Sequence, residues 1–245
     1  MRISVLTLFP ELFDVYFSTS IVGRAKERGL LTADVVQIRD FARDRHRHVD
    51  DTPFGGGAGM VMKCQPVLDA LDSVRSAQSH VILLSASGRP FTQARAHELS
   101  AKPHLIFLCG HYEGVDERIA QRCDEELSIG DYVLTGGELG AMVIADAVIR
   151  LLPGAITAES TGEESYENGL LEYPQYSQPA EYEGERVPDV LLSGHHENIR
   201  RWRLLQSLVR TRQRRPDLFA AHVLTKEEEK LLAEYDAAKA EESSE

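Results

Sequence analysis

The stretch VILLSASGRPFTQARAHELSAKPHLIFLC, from Val81 to Cys109, indicates the fold class of this chain. Two short apolar segments, Val81–Ser85 and Leu105–Cys109, have the length and composition of buried strands. A helical pattern over Thr92–Leu99 lies between them. A strand, a helix and a second strand in this order predict one unit of a parallel sheet with a helix packed on its face.

The same alternation extends from the N-terminus to about residue 152. Further candidate strands are Ile3–Leu8, Asp34–Ile38 and Glu126–Ile129, and further candidate helices are Gln65–Val74 and Val115–Arg122. The pattern predicts an α/β fold, with a mostly parallel sheet and helices on both of its faces.

A polar segment, Thr157–Asn168, interrupts this alternation and is typical of a linker. Helical patterns follow over about Glu197–Arg212 and Lys226–Lys239. We therefore expect one domain over residues 1–156, a linker over 157–176 and a small helical domain over 177–245.

The composition is that of an ordinary globular protein, with 42% apolar and 27% charged residues. The longest apolar stretch, Ala141–Ile156, contains Asp146, Arg150 and Pro153, so we expect a buried helix and no membrane span. No signal peptide is visible, and the three cysteines have no CxxC spacing. These features predict a cytoplasmic protein without a disulfide framework or a zinc site.

The charges are unevenly distributed. The net charge is −12, yet the stretch Asn198–Pro216 contains seven arginines and no acid, whereas Lys226–Glu245 contains eight acids and three lysines. Because phosphate binding needs cations, we expect the Arg-rich stretch to remain available for RNA, with Arg200, Arg201 and Arg203 as phosphate contacts. Trp202 can stack on a base or pack internally, and a solvated helix face is the alternative for the arginines.

Three motifs follow predicted strands, where ligands of open α/β sheets bind. They are LSASG at Leu84–Gly88, CGHYEGVDER at Cys109–Arg118 and SIGDYVLTGGELGAM at Ser128–Met142. The last lacks the GxGxxG spacing of a dinucleotide site, and its Thr135-x-x-Glu138 spacing predicts a capping box with a helix start near Gly136. Ordinary turns and a capped helix are the alternatives for all three motifs.

The loop Arg39–Met60 combines basic residues with a glycine cluster. Arg43, Arg45, Arg47 and the flanking histidines can contact phosphate, but solvated loop charges are the favoured explanation. His46, His48, Asp50 and Asp51 suggest a metal site as a weaker alternative.

Taken together, these motifs resemble the bacterial tRNA (guanine-N1)-methyltransferases of the SPOUT superfamily, in order and spacing and over nearly the whole chain. GGGAGM, GLLEYPQY and SGHHENIRRWR match as well. The resemblance implies a C-terminal trefoil knot in the α/β domain, a homodimer with the active site at the subunit interface, and methyl transfer from S-adenosylmethionine to N1 of guanosine 37 in tRNA. It also allows a requirement for Mg²⁺, for which no ligand set is readable.

The resemblance also implies the site residues. It gives Glu164 as the general base, in place of the usual Asp and with Glu163 as the alternative, and Arg150 as the cation, for which pairing with Asp146 is the competing explanation. Glu172 falls where an acid implicated in tRNA binding is often found. The implied cofactor contacts are Leu84, Ser85, Gly110, Tyr112, Glu113, Ile129, Gly130, Tyr132, Leu134, Gly136 and Gly137.

Three other functions compete with this one. A SPOUT enzyme that methylates ribose or ribosomal RNA would leave N1 of guanosine unmodified. A non-catalytic RNA-binding protein with the same fold would not bind S-adenosylmethionine, and a generic nucleotide-binding protein would bind ATP instead.

Overall fold

The chain folds into two compact units, Met1–Ala158 and Glu159–Glu245. The structure is a computed structural model that describes residues 1–157 and 164–242. The strands and helices of the first unit are, in chain order, β1 Arg2–Thr7, α1 Glu11–Tyr16, α2 Ser20–Glu27, β2 Thr32–Gln37, β3 Asp50–Asp51, β4 Val61–Met62, α3 Cys64–Val74, β5 Ser79–Pro90, α4 Gln93–Ser100, β6 His104–Cys109, α5 Glu117–Ala120, β7 Glu125–Ser128 and α6 Glu138–Ile149.

The centre of the first unit is a five-stranded sheet in the order β2-β1-β6-β5-β7. Every pairing in it is parallel, with registers such as Val5 opposite Phe107 and Leu83 opposite Leu108. This confirms the predicted α/β class. Because the strands are parallel, the loops that follow β5, β6 and β7 leave the sheet at the same edge.

Two apolar clusters cover the two faces of the sheet. Along β6, Leu105 and Phe107 belong to one cluster, whereas Ile106 and Leu108 belong to the other. This alternation is that of a strand buried on both sides. The first cluster includes residues of α1, α2, α4 and α6, and the second includes residues of α3 and α5, as the prediction of helices on both faces required.

Two predictions of local structure were wrong. Strand β5 does not end at Ser85 but continues to Pro90 after a register shift between Leu84 and Arg89. Helix α5 is shorter than the predicted Val115–Arg122, because Val115 forms a β-bridge with Met62 instead.

The capping box was also wrong. Helix α6 begins at Glu138 without a side-chain cap from Thr135. The carboxylate of Glu138 is buried and accepts a hydrogen bond of 2.7 Å from the Thr7 hydroxyl. A buried charge gains more from this partner than from a solvent-exposed backbone amide.

The second unit is mainly helical. It contains the short hairpin strands β8 Glu181–Tyr182 and β9 Glu185–Arg186, followed by α7 Asp189–Leu192, α8 His196–Arg214, α9 Pro216–Ala221 and α10 Lys226–Glu242. Its apolar core joins Leu170 to Leu208 and Val209 of α8 and to Leu232 of α10. Within the described ranges no helix has both the length and the apolar composition that a membrane crossing requires.

Candidate functional site

A cavity of about 350 Å³ opens at the carboxyl edge of the sheet in the first unit. Its walls come from three segments at the ends of neighbouring strands: 83–87 of β5, 110–115 after β6, and 127–130 with 132–137 at the end of β7 and beyond it, with Gly140 of α6 added. The volume falls within the range of about 300–1,000 Å³ that encloses small-molecule ligands.

The wall formed by residues 83–87 exists because the regular pairing of β5 with β7 ends at Leu84. The register shift between Leu84 and Arg89 leaves Ser85–Ser87 outside the β5–β7 pairing. The hydroxyls of Ser85 and Ser87 lie 2.7 Å apart, and the backbone amide of Ser87 donates to Ser85 Oγ over 3.2 Å. The bulge therefore turns two small polar side chains toward the solvent-accessible end of the strand.

The wall segment that follows β7 passes close to the ends of β5 and β6 at Gly136 and Gly137. The amide of Gly137 donates to the carbonyl of Gly110 over 2.9 Å, and Gly136 forms an antiparallel bridge with His111. A Cβ on Gly137 would stand only 2.8 Å from Cys109 Cα and 2.9 Å from Leu84 Cβ. Glycine is needed here for the backbone to pass.

Backbone groups dominate the rim of this cavity. Gly130 has φ +151°, a conformation that L side chains rarely adopt. The side chain of Tyr132 folds back so that its hydroxyl donates to the Ile129 carbonyl over 3.2 Å. Segment 129–134 thereby presents amides and carbonyls together with the exposed rings and apolar side chains of Tyr132, Val133 and Leu134.

A buried polar layer lies beside the cavity. The Thr7–Glu138 hydrogen bond forms part of it, and Nδ1 of His111 is buried without a hydrogen-bond partner among the described residues. Burial, together with the nearby charge of Glu138, raises the pKa of the Cys109 thiol well above its usual value. Cys109 is therefore a protonated core residue with no role as a nucleophile at neutral pH.

The structure brings all the predicted cofactor contacts together around this one cavity. They are Leu84, Ser85, Gly110, Tyr112, Glu113, Ile129, Gly130, Tyr132, Leu134, Gly136 and Gly137. Sequence reasoning missed the polar layer formed by Thr7, His111 and Glu138. The available signal was Glu138 itself, an acid at the start of an otherwise apolar helix.

The two predicted catalytic residues belong to different units. Arg150 is the half-buried C-cap of α6, and its amide donates to the Asp146 carbonyl over 3.1 Å. Glu164 lies at the start of the described part of the second unit, half-buried, and its carbonyl accepts from the Glu167 amide. The alternative base, Glu163, lies outside the described residues.

Helix α8 does not present its arginines as an uncompensated row, contrary to the expectation from sequence. The first turn of α8 and helix α10 supply acids to them: Arg200 pairs with Glu197 and Glu227, and Arg212 pairs with Asp236 at 2.8 Å. A looser pair joins Arg201 to Glu234 at 3.4 Å. The described part of the acidic C-terminal sequence, Lys226–Glu242, is thus a helix packed on α8.

The remaining predicted tRNA contacts lie in the second unit. The Arg203 guanidinium carbon stands 4.7 Å above the ring of Tyr173, and Trp202 lies 6.4 Å from Tyr176, centroid to centroid. Glu172 accepts from the Gln175 side-chain amide over 2.7 Å.

The basic loop of the first unit is largely neutralised as well. Arg43 donates to Asp69 over 2.7 Å, Arg47 to Asp40 over 3.1 Å, and His48 lies 2.8 Å from Asp44. These partners favour solvated, paired charges. Among residues 1–157 and 164–242, no three His, Cys, Asp or Glu side chains gather into a possible metal site.

Comparison with known proteins gives one consistent result. A family model described as tRNA (Guanine-1)-methyltransferase TrmD matches residues 1–221. A protein of Ruminiclostridium cellulolyticum named tRNA (guanine-N(1)-)-methyltransferase is 58% identical over 224 residues, which cover 89% of this chain and 96% of the relative. Proteins of the same name from Clostridium perfringens and Syntrophomonas wolfei are 53% and 52% identical, covering 95% and 96% of this chain and 99% and 96% of the relatives.

Proposed function

The chain belongs to the tRNA (guanine-1)-methyltransferase family, and from this premise we propose that it transfers a methyl group from S-adenosylmethionine to N1 of guanosine 37 in tRNA. One structural observation supports the proposal in addition to family membership. Every residue expected to contact the methyl donor lines one cavity at the carboxyl edge of the sheet. A cytoplasmic location follows from the proposed substrate.

The cavity suits S-adenosylmethionine in size and in the groups that it offers. Backbone amides and carbonyls of the segment from Gly130 to Gly137 can pair with the edge of an adenine, while Leu84 and Leu134 supply apolar contact. Glu113, on the opposite wall, provides a carboxylate for an amine. When bound, S-adenosylmethionine supplies an electrophilic methyl group.

The target nitrogen needs activation by the protein. N1 of guanine carries a proton at neutral pH, so a base must remove it before the nitrogen can attack. We assign this role to Glu164, whose carboxylate would accept the N1 proton. The same step leaves negative charge on O6 of the base, and we assign Arg150 to stabilise that charge.

Binding of tRNA is assigned to the second unit. Trp202 and Arg203 are partly buried beside tyrosines and are suited to stacking and to base contacts, whereas Arg200 and Arg201 are suited to phosphates. Glu172 is the acid that the family resemblance associates with tRNA. We assign no ligands and no step to Mg²⁺, because the described residues do not form a ligand set for it.

We also propose a homodimer with the active site at the subunit interface. Helices α1 and α6, which the Tyr16 hydroxyl joins by donating to the Met142 carbonyl over 3.1 Å, expose neighbouring apolar side chains. These are Leu12, Val15, Leu139 and Val143, each between 47% and 71% exposed. An apolar surface of this kind on a globular unit favours a second copy of the chain as its cover.

The reaction is tested by nucleoside mass spectrometry on a tRNA transcript incubated with the protein and S-adenosylmethionine. We expect 1-methylguanosine in the wild-type reaction and none when guanosine 37 is replaced by adenosine. Methylated ribose without 1-methylguanosine, or no methylation by protein that binds the methyl donor, would refute the proposal.

The base is tested with Glu164→Gln, which should lower kcat about 10²- to 10⁴-fold while donor binding is retained. Glu167→Gln, in the same segment, is the matched control and should stay near wild type. Glu163→Gln decides between the two adjacent acids: loss of activity there, with Glu164→Gln active, would move the role to Glu163.

A further inference from the structure

The second unit contains a cavity of its own, which we call the Trp202 cavity. Its volume is about 220 Å³, and it lies between the coil 173–180, helix α7 and the N-terminal half of α8. Its lining includes the rings of Tyr173, Tyr176 and Trp202, the side-chain amides of Gln175 and Gln178, and the guanidinium of Arg203. The apolar core of the unit uses Leu208 and Val209, farther along α8, so the cavity is separate from that core.

The Trp202 cavity is open to solvent at its rim, where Tyr176 is half exposed. Its volume of about 220 Å³ is smaller than the pockets of about 300–1,000 Å³ that enclose drug-sized ligands. Its size suits one planar ring system.

The lining of the cavity has the chemistry of a base-binding site. Tyr176 and Trp202 form a tilted pair with ring centroids 6.4 Å apart, and Tyr176 is half exposed. On the same lining, the Arg203 guanidinium lies over the buried ring of Tyr173 at 4.7 Å, which fixes its plane. Aromatic rings stack with bases of any sequence, and a planar guanidinium can stack with a base or donate to its edge.

The charge of the lining favours the same ligand class. Arg203 is its one cationic side chain, and the lining residues include no carboxylate, although the chain as a whole is acidic. Two side-chain amides, those of Gln175 and Gln178, add donors and acceptors for a base edge. Glu172 lies outside the lining and accepts a hydrogen bond from the Gln175 side-chain amide over 2.7 Å. A polyanionic RNA that inserts one base would therefore meet Arg203 in the lining and no lining carboxylate.

We propose that the Trp202 cavity binds one unpaired nucleobase of the tRNA, stacked on the Tyr176–Trp202 pair. This inference rests on the proposed function, since it takes tRNA as the substrate. The base bound here is separate from the target guanosine, whose methylation is assigned to Glu164 and Arg150. The cavity would thus add affinity and orientation, and its aromatic residues are binding residues with no part in the chemical step.

Trp202 is the single tryptophan of the chain, so intrinsic tryptophan fluorescence reports on this cavity alone. Titration of the full-length protein with a tRNA transcript should change the emission saturably. Tyr176→Ala should weaken tRNA binding roughly 5- to 150-fold, the equivalent of one lost base stack. Because Tyr176 is half exposed, this variant should remain folded, and it should retain its affinity for S-adenosylmethionine.

Tyr182→Ala is the matched control, because Tyr182 is an exposed tyrosine of the same unit outside the cavity lining. Equal tRNA affinity for the two variants, with no emission change at saturating tRNA, would overturn the proposal even if the wild-type protein methylates tRNA. An emission change that follows protein concentration without RNA would assign the cavity to a second copy of the chain and would also overturn it. Wild-type protein that neither binds nor methylates tRNA would overturn the proposed function and, with it, this inference.

Discussion

Replacement of Gly137 by alanine should separate binding of the methyl donor from general stability. The new methyl group would stand 2.8 Å from Cys109 Cα, 2.9 Å from Leu84 Cβ and 3.1 Å from the Gly110 amide nitrogen. Two of these atoms belong to the backbone at the end of the central strand β6, which cannot yield without disturbing the sheet. The segment 129–137 must therefore move away and widen the cavity.

The expected losses of stability and of donor affinity in Gly137→Ala follow from the size of the steric clash. Forcing one extra methyl group into a well-packed site costs about 1–3 kcal/mol. The smaller entropy of the unfolded chain with alanine offsets roughly 0.4–1 kcal/mol of the lost stability. If the protein relieves the strain by displacing the cavity wall, the same free energy is lost from donor binding. The Kd for S-adenosylmethionine should then rise roughly 5- to 150-fold.

Gly23→Ala provides the matched control. Its Cβ would meet the carbonyl oxygen and carbon of Ser18 at 2.6 and 2.7 Å, a comparable backbone clash in helix α2, whose residues do not line the cavity. Calorimetric titration with S-adenosylmethionine and thermal unfolding should be run on both variants. Both should lose stability, but only Gly137→Ala should lose affinity. Wild-type affinity in Gly137→Ala, or equal losses in the two variants, would refute the reasoning.

Three further predictions concern pH, assembly and RNA affinity. Burial, more than any other cause, lowers the pKa of His104. The unfolded chain therefore binds a proton at this histidine more readily than the folded chain, and the free energy of unfolding should fall as the pH drops below about 6.5. Urea unfolding between pH 5 and 8 should show a weaker fall for His104→Asn than for the wild type, and identical pH profiles would contradict this prediction. Val143→Asp should convert the dimer to monomers in sedimentation experiments and reduce methylation, because it places an unpaired charge in the proposed interface, whereas the exposed Val223→Asp should do neither. Glu227→Gln should release Arg200 from one of its two acidic partners and raise tRNA affinity roughly 1.5- to 5-fold at low salt; unchanged affinity would show that Arg200 does not contact phosphate.

Most of the sheet could be predicted because its strands follow simple local patterns. The run His104–Cys109 is buried throughout, and its apolar letters alone indicate a central parallel strand. The continuation of β5 to Pro90 could not be predicted, because SASG has the composition of a turn and its second ladder forms only when β7 is alongside. The helix start near Gly136 was predicted to within two residues, but the capping box was wrong for a similar reason, since the partner of Glu138 is Thr7, 131 residues away in sequence.

The candidate cofactor site could be predicted from sequence more readily than the proposed RNA-binding surface. Its residues occur in three short motifs, each directly after a predicted strand, and parallel strands bring such motifs to one edge of the sheet. The Trp202 cavity has no comparable signal. Its aromatic residues lie in a coil and on a helix, and only the packing of these segments shows that Tyr176 and Trp202 share one space.

The acidic helix α10 supplies ion-pair partners to several arginines of α8. Along the sequence, the basic segment and the acidic segment are separate. In the folded unit, Arg200 and Arg212 form ion pairs with acids that lie 27 and 24 residues farther along the chain. Exposed pairs of this kind contribute little to stability because water screens them, so they do not withhold an arginine from a polyanion whose binding also releases counterions. Phosphates can therefore displace the α10 carboxylates, whereas a single small anion gains too little to do so. If α8 binds tRNA as proposed, α10 should reduce nonspecific anion binding by α8 and leave the proposed affinity for tRNA strongly dependent on salt.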